Sequence, residues 1–204
     1  MHLMTTALLV MDVQVGIVER YADDSEPLLH AIAAATTASR SAGYQVIYVR
    51  VAFRPGAPEI SPNNRGFAAI GAAESMGLDD PATQVHPTVA PAPGDIEVLK
   101  KRVSAFAGSD LDVVLRSLGV DTLVLTGIAT SGVVLSTLRQ AADLDYQIVV
   151  DDPKLFTRPI RIAGTFQAAA PGTELLEFAC AEGSQTLQNV FGFELAAGRE
   201  AAGR

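Results

Sequence analysis

Unbroken apolar runs closed by a charge alternate along this chain with stretches whose apolar positions recur every three or four residues. Residues 7–12, ALLVMD, form such a run ending on a carboxylate, the pattern of a parallel strand buried on both faces. The segment SEPLLHAIAAATTASRSAG then predicts a helix, with Ser25 as cap, Pro27 in its first turn and Gly43 at its end. Leu28, Leu29, Ile32 and Ala33 give that helix its spacing. Residues 44–51, YQVIYVRV, are β-branched and aromatic and predict a second strand.

From Phe53 to Pro93 the pattern dissolves into Pro, Gly, Asn and Ala, with one short helix expected near residues 67–73. An excursion of that length inside a compact domain is usually a lid or a binding loop. Regular patterning then resumes. DIEVLK (95–100) predicts strand three, and GSDLDVVLRSLG a helix capped by Ser109 with Asp112 at the capping-box position. DTLVLTGI (121–128) predicts strand four, SGVVLSTLRQAADL the next helix, and YQIVVDD (146–152) strand five. This alternation predicts an α/β fold: a three-layer, doubly wound, mostly parallel sheet of five to six strands with right-handed crossovers.

Composition narrows the picture. Hydrophobic residues make up 49% of the 204 and charged residues 19%, as expected of a sheet covered on both faces and of one domain over 1–204. The mean hydropathy is +0.26, yet no apolar run approaches the ~20 residues of a membrane span. Residues 7–11 are too short for a signal-peptide core, so a cytoplasmic protein that binds no membrane is expected. A net charge of −8, with Lys100, Lys101 and Arg102 as the basic cluster, argues against nucleic acid. The single cysteine, Cys180, excludes an intramolecular disulfide. The three histidines, His2, His30 and His86, lack ligand spacing, so neither metal nor other cofactor is expected.

Ligands of open α/β sheets bind beyond the carboxyl ends of the strands. Asp12, Lys100 and the small-residue turn 127–133 all fall there. An Asp–Lys pair can move or stabilise a proton, and free amides at a helix start can hold a developing negative charge.

These residues together resemble the isochorismatase-like cysteine hydrolases. ALLVMDVQ is similar to the family's first strand, with Asp12 on its catalytic aspartate; LKKRVSAF is similar to its lysine motif, with Lys100 on the catalytic position. GIATSGVVLSTLR resembles its nucleophile loop, G-[IV]-x-T-x-x-C followed shortly by Thr, here Thr137. The likeness covers residues 6–152, and three motifs in order make it specific for the fold. It implies a homo-oligomer acting on a small-molecule substrate. It also implies a cis peptide at Ile128–Ala129, with the backbone N–H groups of Ala129 and Val133 as oxyanion donors. Gln14 and Phe106, inside the motifs, are candidate substrate-binding residues. So are Arg54 and Arg65, whose planar forks suit a carboxylate.

The chain also departs from the family pattern. Val133 stands at the cysteine position and cannot attack a carbonyl. The resemblance offers one precedent: isochorismatase itself lacks the cysteine, has glycine there, and protonates a vinyl-ether carbon through its aspartate. A close Lys⁺ opposes that acid role unless burial counters it. Ser131 and Ser136 are expected to be capping serines rather than substitute nucleophiles, and Cys180 a core or tail residue. Thr137 and Arg139 fit a structural role. The stretch RVAFRPGAPEISPNNRGF has no histidine for the metal that nicotinamidases of the family bind. After residue 152 the likeness ends. TELLEFACAEG reads as a helix capped by Thr173 and QNVFGFEL as a short strand, within a divergent ending, an exchanged arm or a frame-altered tail. The expected function is hydrolysis of a small metabolite by Asp12 and Lys100; the alternative is an inactive relative that binds or assembles.

Overall fold

The computed structural model describes residues 5–21, 25–72, 76–150 and 160–162. In chain order these form β1 (Thr5–Met11), α1 (Val15–Tyr21), α2 (Glu26–Ser41), β2 (Gln45–Val51), α3 (Ala68–Ala72), β3 (Ile96–Lys100) and α4 (Leu111–Ser117). Then come β4 (Val120–Gly127), a π-helical turn at Thr130–Val134, α5 (Leu135–Asp143), β5 (Gln147–Val150) and β6 (Ile160–Ile162). The sheet order is β3-β2-β1-β4-β5-β6. The first five strands are parallel, and β6 adds antiparallel to β5 at the edge.

β1 is central because both of its faces are apolar. Leu8 and Val10 pack with Val18, Leu29 and Ile32 of α1 and α2; Ala7, Leu9 and Met11 pack on the other face with Leu111, Leu115 and Ala141 of α4 and α5. That is the three-layer α/β/α arrangement that the unbroken run implies. The strands match the expected ones to within a residue or two at their described ends.

Differences arise where local geometry overrides pattern. Helix α1 follows β1 almost directly and is seven residues long, too short for a periodic signal. Ser25 precedes α2 with helical dihedrals and makes no side-chain cap bond. Before α4, Asp110 is the flanking residue; Ser109 accepts from Leu111 N–H at 3.3 Å, while Asp112 accepts from Tyr146 and Arg116 instead of closing a box. The readings for residues 163–204, including Thr173 and Cys180, lie outside the described residues.

The long excursion between β2 and β3 has a small core of its own. Val51, Phe53 and Ala57 gather Ile60, Phe67, Ile70 and Met76, with Phe53 edge-on to Phe67 at 5.9 Å. Lys101 and Arg102 lie over those two rings at 5.8 and 5.9 Å. Glycine is required at Gly127 by close approach: a Cβ there would run into the Met11 carbonyl oxygen and lie 2.9 Å from Met11 Cβ.

Candidate active site

The carboxyl ends of β1, β3 and β4 converge. Met11 pairs with Val49 on one side and Gly127 on the other, and Asp12 extends the pairing by donating its N–H to Val49 O at 2.8 Å. The chain then turns through a left-handed φ of +57° at Asp12, a conformation Asp tolerates better than most residues. Lys100 ends β3, paired with Val51, and its side chain passes over the end of β2. Its Nζ donates to Asp12 Oδ2 at 2.6 Å and to the Val103 carbonyl at 2.7 Å.

Both charges are deep. Lys100 is 1% exposed and Asp12 7%. Asp12 Oδ1 is buried with no hydrogen-bond partner among the described residues. Burial raises the Asp12 carboxyl to about 6, against the lowering influence of the Lys100 charge and hydrogen bond. Lys100 is pushed below the usual lysine range by the same loss of water, which the Asp12 charge only partly offsets. Burial and the nearby Lys⁺ thus act on Asp12 in opposite directions, and burial is the larger influence.

The turn after β4 lies across the same end of the sheet. Ile128 donates its N–H to Met11 O at 3.1 Å, and the Ile128–Ala129 peptide is cis. Ile128 packs on the face covered by α1 and α2, and Val133 on the face covered by α4 and α5, so the loop straddles the sheet edge. Gly132 and Val134 N–H both go to Ala129 O, whereas Ala129 N–H finds no acceptor among the described residues. Val133 is 2% exposed and belongs to the core with Met11 and Phe106. Its isopropyl group fills space in the interior. Ser131 is exposed and Ser136 half-buried.

The candidate substrate-binding residues are not brought together. Gln14 is fully buried and its side chain is spent on backbone: Nε2 donates to Val51 O (3.0 Å) and Thr83 O (2.7 Å), and Oε1 accepts from Val51 N–H (2.8 Å). It clamps β1 to β2 and to the excursion. Phe106 is buried and stacks on Tyr146 at 5.8 Å. Arg54 is exposed and pairs with Glu59 at 3.4 Å; Arg65 is exposed on the same excursion. None of the four touches Asp12 or Lys100 among the described contacts. What sequence reasoning missed is the Val103 carbonyl, since a backbone acceptor leaves no trace in residue identity.

The model of the isochorismatase domain matches residues 6–152. The chain belongs to the isochorismatase family. Relatives include the isochorismatase family protein YwoC of Bacillus subtilis (strain 168), 37% identical over 142 residues that cover 70% of this chain and 72% of YwoC. The ureidoacrylate amidohydrolase RutB of Stutzerimonas stutzeri is 37% identical over 168 residues, covering 71% of this chain and 67% of that protein. Among solved structures, a cysteine hydrolase from Pseudomonas syringae pv. phaseolicola superposes with a TM-score of 0.65 at 27% identity, over 70% of this chain and 68% of that one. N-carbamoylsarcosine amidase from Thermoplasma acidophilum gives 0.58 at 28% identity, over 71% and 80%. Isochorismatase-family proteins of this kind are hydrolases, and this member carries valine where the nucleophile-loop pattern has cysteine. Among the described residues no helix is long and apolar enough to cross a membrane.

Proposed function

We propose that this protein hydrolyses a small metabolite by acid–base chemistry on Asp12 and Lys100, without a covalent thiol step. The observation that carries the reading is Asp12 Oδ1, a buried carboxyl oxygen without a partner among the described residues, on a group whose other oxygen is held by Lys100. Such an oxygen is free to hold a proton and hand it to a bound substrate. With the carboxyl near 6, the protonated form is available around neutral pH.

A vinyl ether fits this chemistry. Asp12 gives its proton from Oδ1 to the terminal carbon of the double bond, leaving an oxocarbenium ion that water attacks. The resulting hemiketal loses a proton to solvent and breaks into a ketone and an alcohol. Lys100 stabilises the carboxylate left on Asp12, and the Ala129 N–H, without an acceptor among the described residues, offers a donor to a substrate oxygen. The amide-cleaving relatives point to carbon–nitrogen bonds as the competing substrate class. There Val133 supplies no nucleophile, so water would have to attack directly.

A second reading is favoured by Val133 itself: with its side chain in the core and both charges almost closed off, the pair can serve as an internal lock in a binding or assembly protein. A substrate panel separates the two. Isochorismate, ureidoacrylate, N-carbamoylsarcosine and simple esters are offered to the pure protein and to Asp12→Asn. Vinyl-ether turnover lost in Asp12→Asn supports acid catalysis. No turnover of any compound by folded wild type transfers the weight to the second reading.

A further inference from the structure

Thr137 is fully buried on α5, one helical turn beyond Val133. Its Oγ1 accepts a hydrogen bond from Ala105 N–H at 2.9 Å, which ties α5 to the loop that follows β3. That loop is closed on itself by Lys101 N–H to Ala107 O (3.2 Å) and Ala107 N–H to Ser104 O (3.1 Å). Ser109 Oγ reaches back to Ala105 O at 2.6 Å. Ala105 is thus one point where the loop is fastened to the body of the protein, beside Phe106, which stacks on Tyr146. Two residues earlier, the Val103 carbonyl accepts from Lys100 Nζ, the same ammonium that lies 2.6 Å from Asp12.

Val103 cannot hold that carbonyl by packing its own side chain, because the residue is 44% exposed. The position of its oxygen is inherited from the loop. The backbone tie from this loop to α5 is the Ala105 N–H to Thr137 Oγ1 bond, two residues from that carbonyl. We propose that Thr137 is a positioning residue for the proton-transfer pair, its hydroxyl fixing through Ala105 the Val103 carbonyl that aims Lys100 at Asp12. This assigns to Thr137 more than the structural part its sequence position implies. The inference rests on the reading of Asp12 and Lys100 as the acid–base pair.

The test reads Asp12 directly. Its carboxyl titration is followed by the 13C shift, assigned by comparison with Asp12→Asn, in wild type and in Thr137→Val, Thr137→Ala and Thr137→Ser. The charge that acts on Asp12 among the described residues is that of Lys100. Losing the Lys100 contact raises the Asp12 midpoint, by about one unit or more. Thr137→Val and Thr137→Ala are expected to show that rise, and Thr137→Ser, which keeps the acceptor, to stay at the wild-type midpoint. If Thr137→Val does not fold, the Ala and Ser pair carries the comparison alone. A lowered melting temperature with an unmoved Asp12 midpoint would overturn the proposal, as would a serine variant that behaves like alanine. The readout needs no turnover. A wild type inactive on every substrate, in which the midpoint still moves, leaves the positioning standing and removes the hydrolytic reading.

Discussion

Lys100 Nζ and Asp12 Oδ2 lie 2.6 Å apart although strand β2 separates the strands that carry them. A lysine is long enough for that reach, and the pair it makes is nearly dry. Removing one partner of a buried pair costs about 3–5 kcal/mol, because the other charge is left without a counterion. Lys100→Met is expected to lose about that much at pH 8, where Asp12 is ionised. The loss shrinks at pH 5, where the orphaned carboxyl takes up a proton. Denaturant unfolding at the two pH values measures it.

The raised carboxyl has a signature in the pH dependence of stability. Between 3.8, the ordinary value, and about 6, the folded protein holds a proton on Asp12 that the unfolded chain has released. Stability therefore falls as pH rises through that window, by on the order of 2–3 kcal/mol from this group. The difference between wild-type and Asp12→Asn unfolding curves isolates the effect. A flat difference across the window would show that Asp12 titrates as an ordinary carboxylate.

Turnover carries a second signature. An acid must be protonated to act, so kcat/KM for a vinyl ether is expected to be level below about pH 6. Above it, the value drops about tenfold per unit. A profile that rises over the same range would assign Asp12 the part of a base.

Val133 tests whether the interior tolerates a change at the cysteine position. Val133→Ala deletes two methyl groups from a packed core and is expected to cost about 1–3 kcal/mol. Under the acid–base reading, turnover of the folded variant persists, since the valine takes no part in bond making. Activity or ligand binding that appears only in Val133→Ala would identify the side chain as a plug.

Gln14→Met keeps length and volume but takes the side-chain partner from Val51 N–H and Val51 O, while Thr83 O keeps its 3.4 Å hydrogen bond from Arg50. Each buried backbone group so stranded costs about 1–3 kcal/mol. A loss of several kcal/mol is expected in chemical denaturation. A loss below 1 kcal/mol would mean that water enters and satisfies both Val51 groups.

Much of this was legible from residue order. Ala7–Met11 could only be a strand buried on both faces, and the charges that close the first and third strands mark where the sheet ends. Asp12 and Lys100 follow from those ends together with the motif likeness. Other assignments depended on distant partners that pattern does not carry. Gln14 stands next to the site in sequence, yet its bonds go to residues 37 and 69 positions away. Phe106 follows the lysine motif, but Tyr146, forty residues on, stacks against it in the core. Ser25 is a favoured cap residue, and its helical dihedrals turn it away from that use. In each case a tertiary partner, or the backbone conformation, outweighed residue preference.

The excursion between β2 and β3 brings its own apolar cluster, built on Phe53 and Phe67, and is pinned to the sheet through Gln14 and Lys101. Folding stability in that region is therefore partly separable from that of the sheet. Residues along it can be exchanged in laboratory evolution while the strands that hold the charged pair stay as they are. The architecture thus keeps the charged pair on the sheet and leaves sequence variation to the excursion, whose residues 54–72 and 76–80 are the place to begin such exchanges.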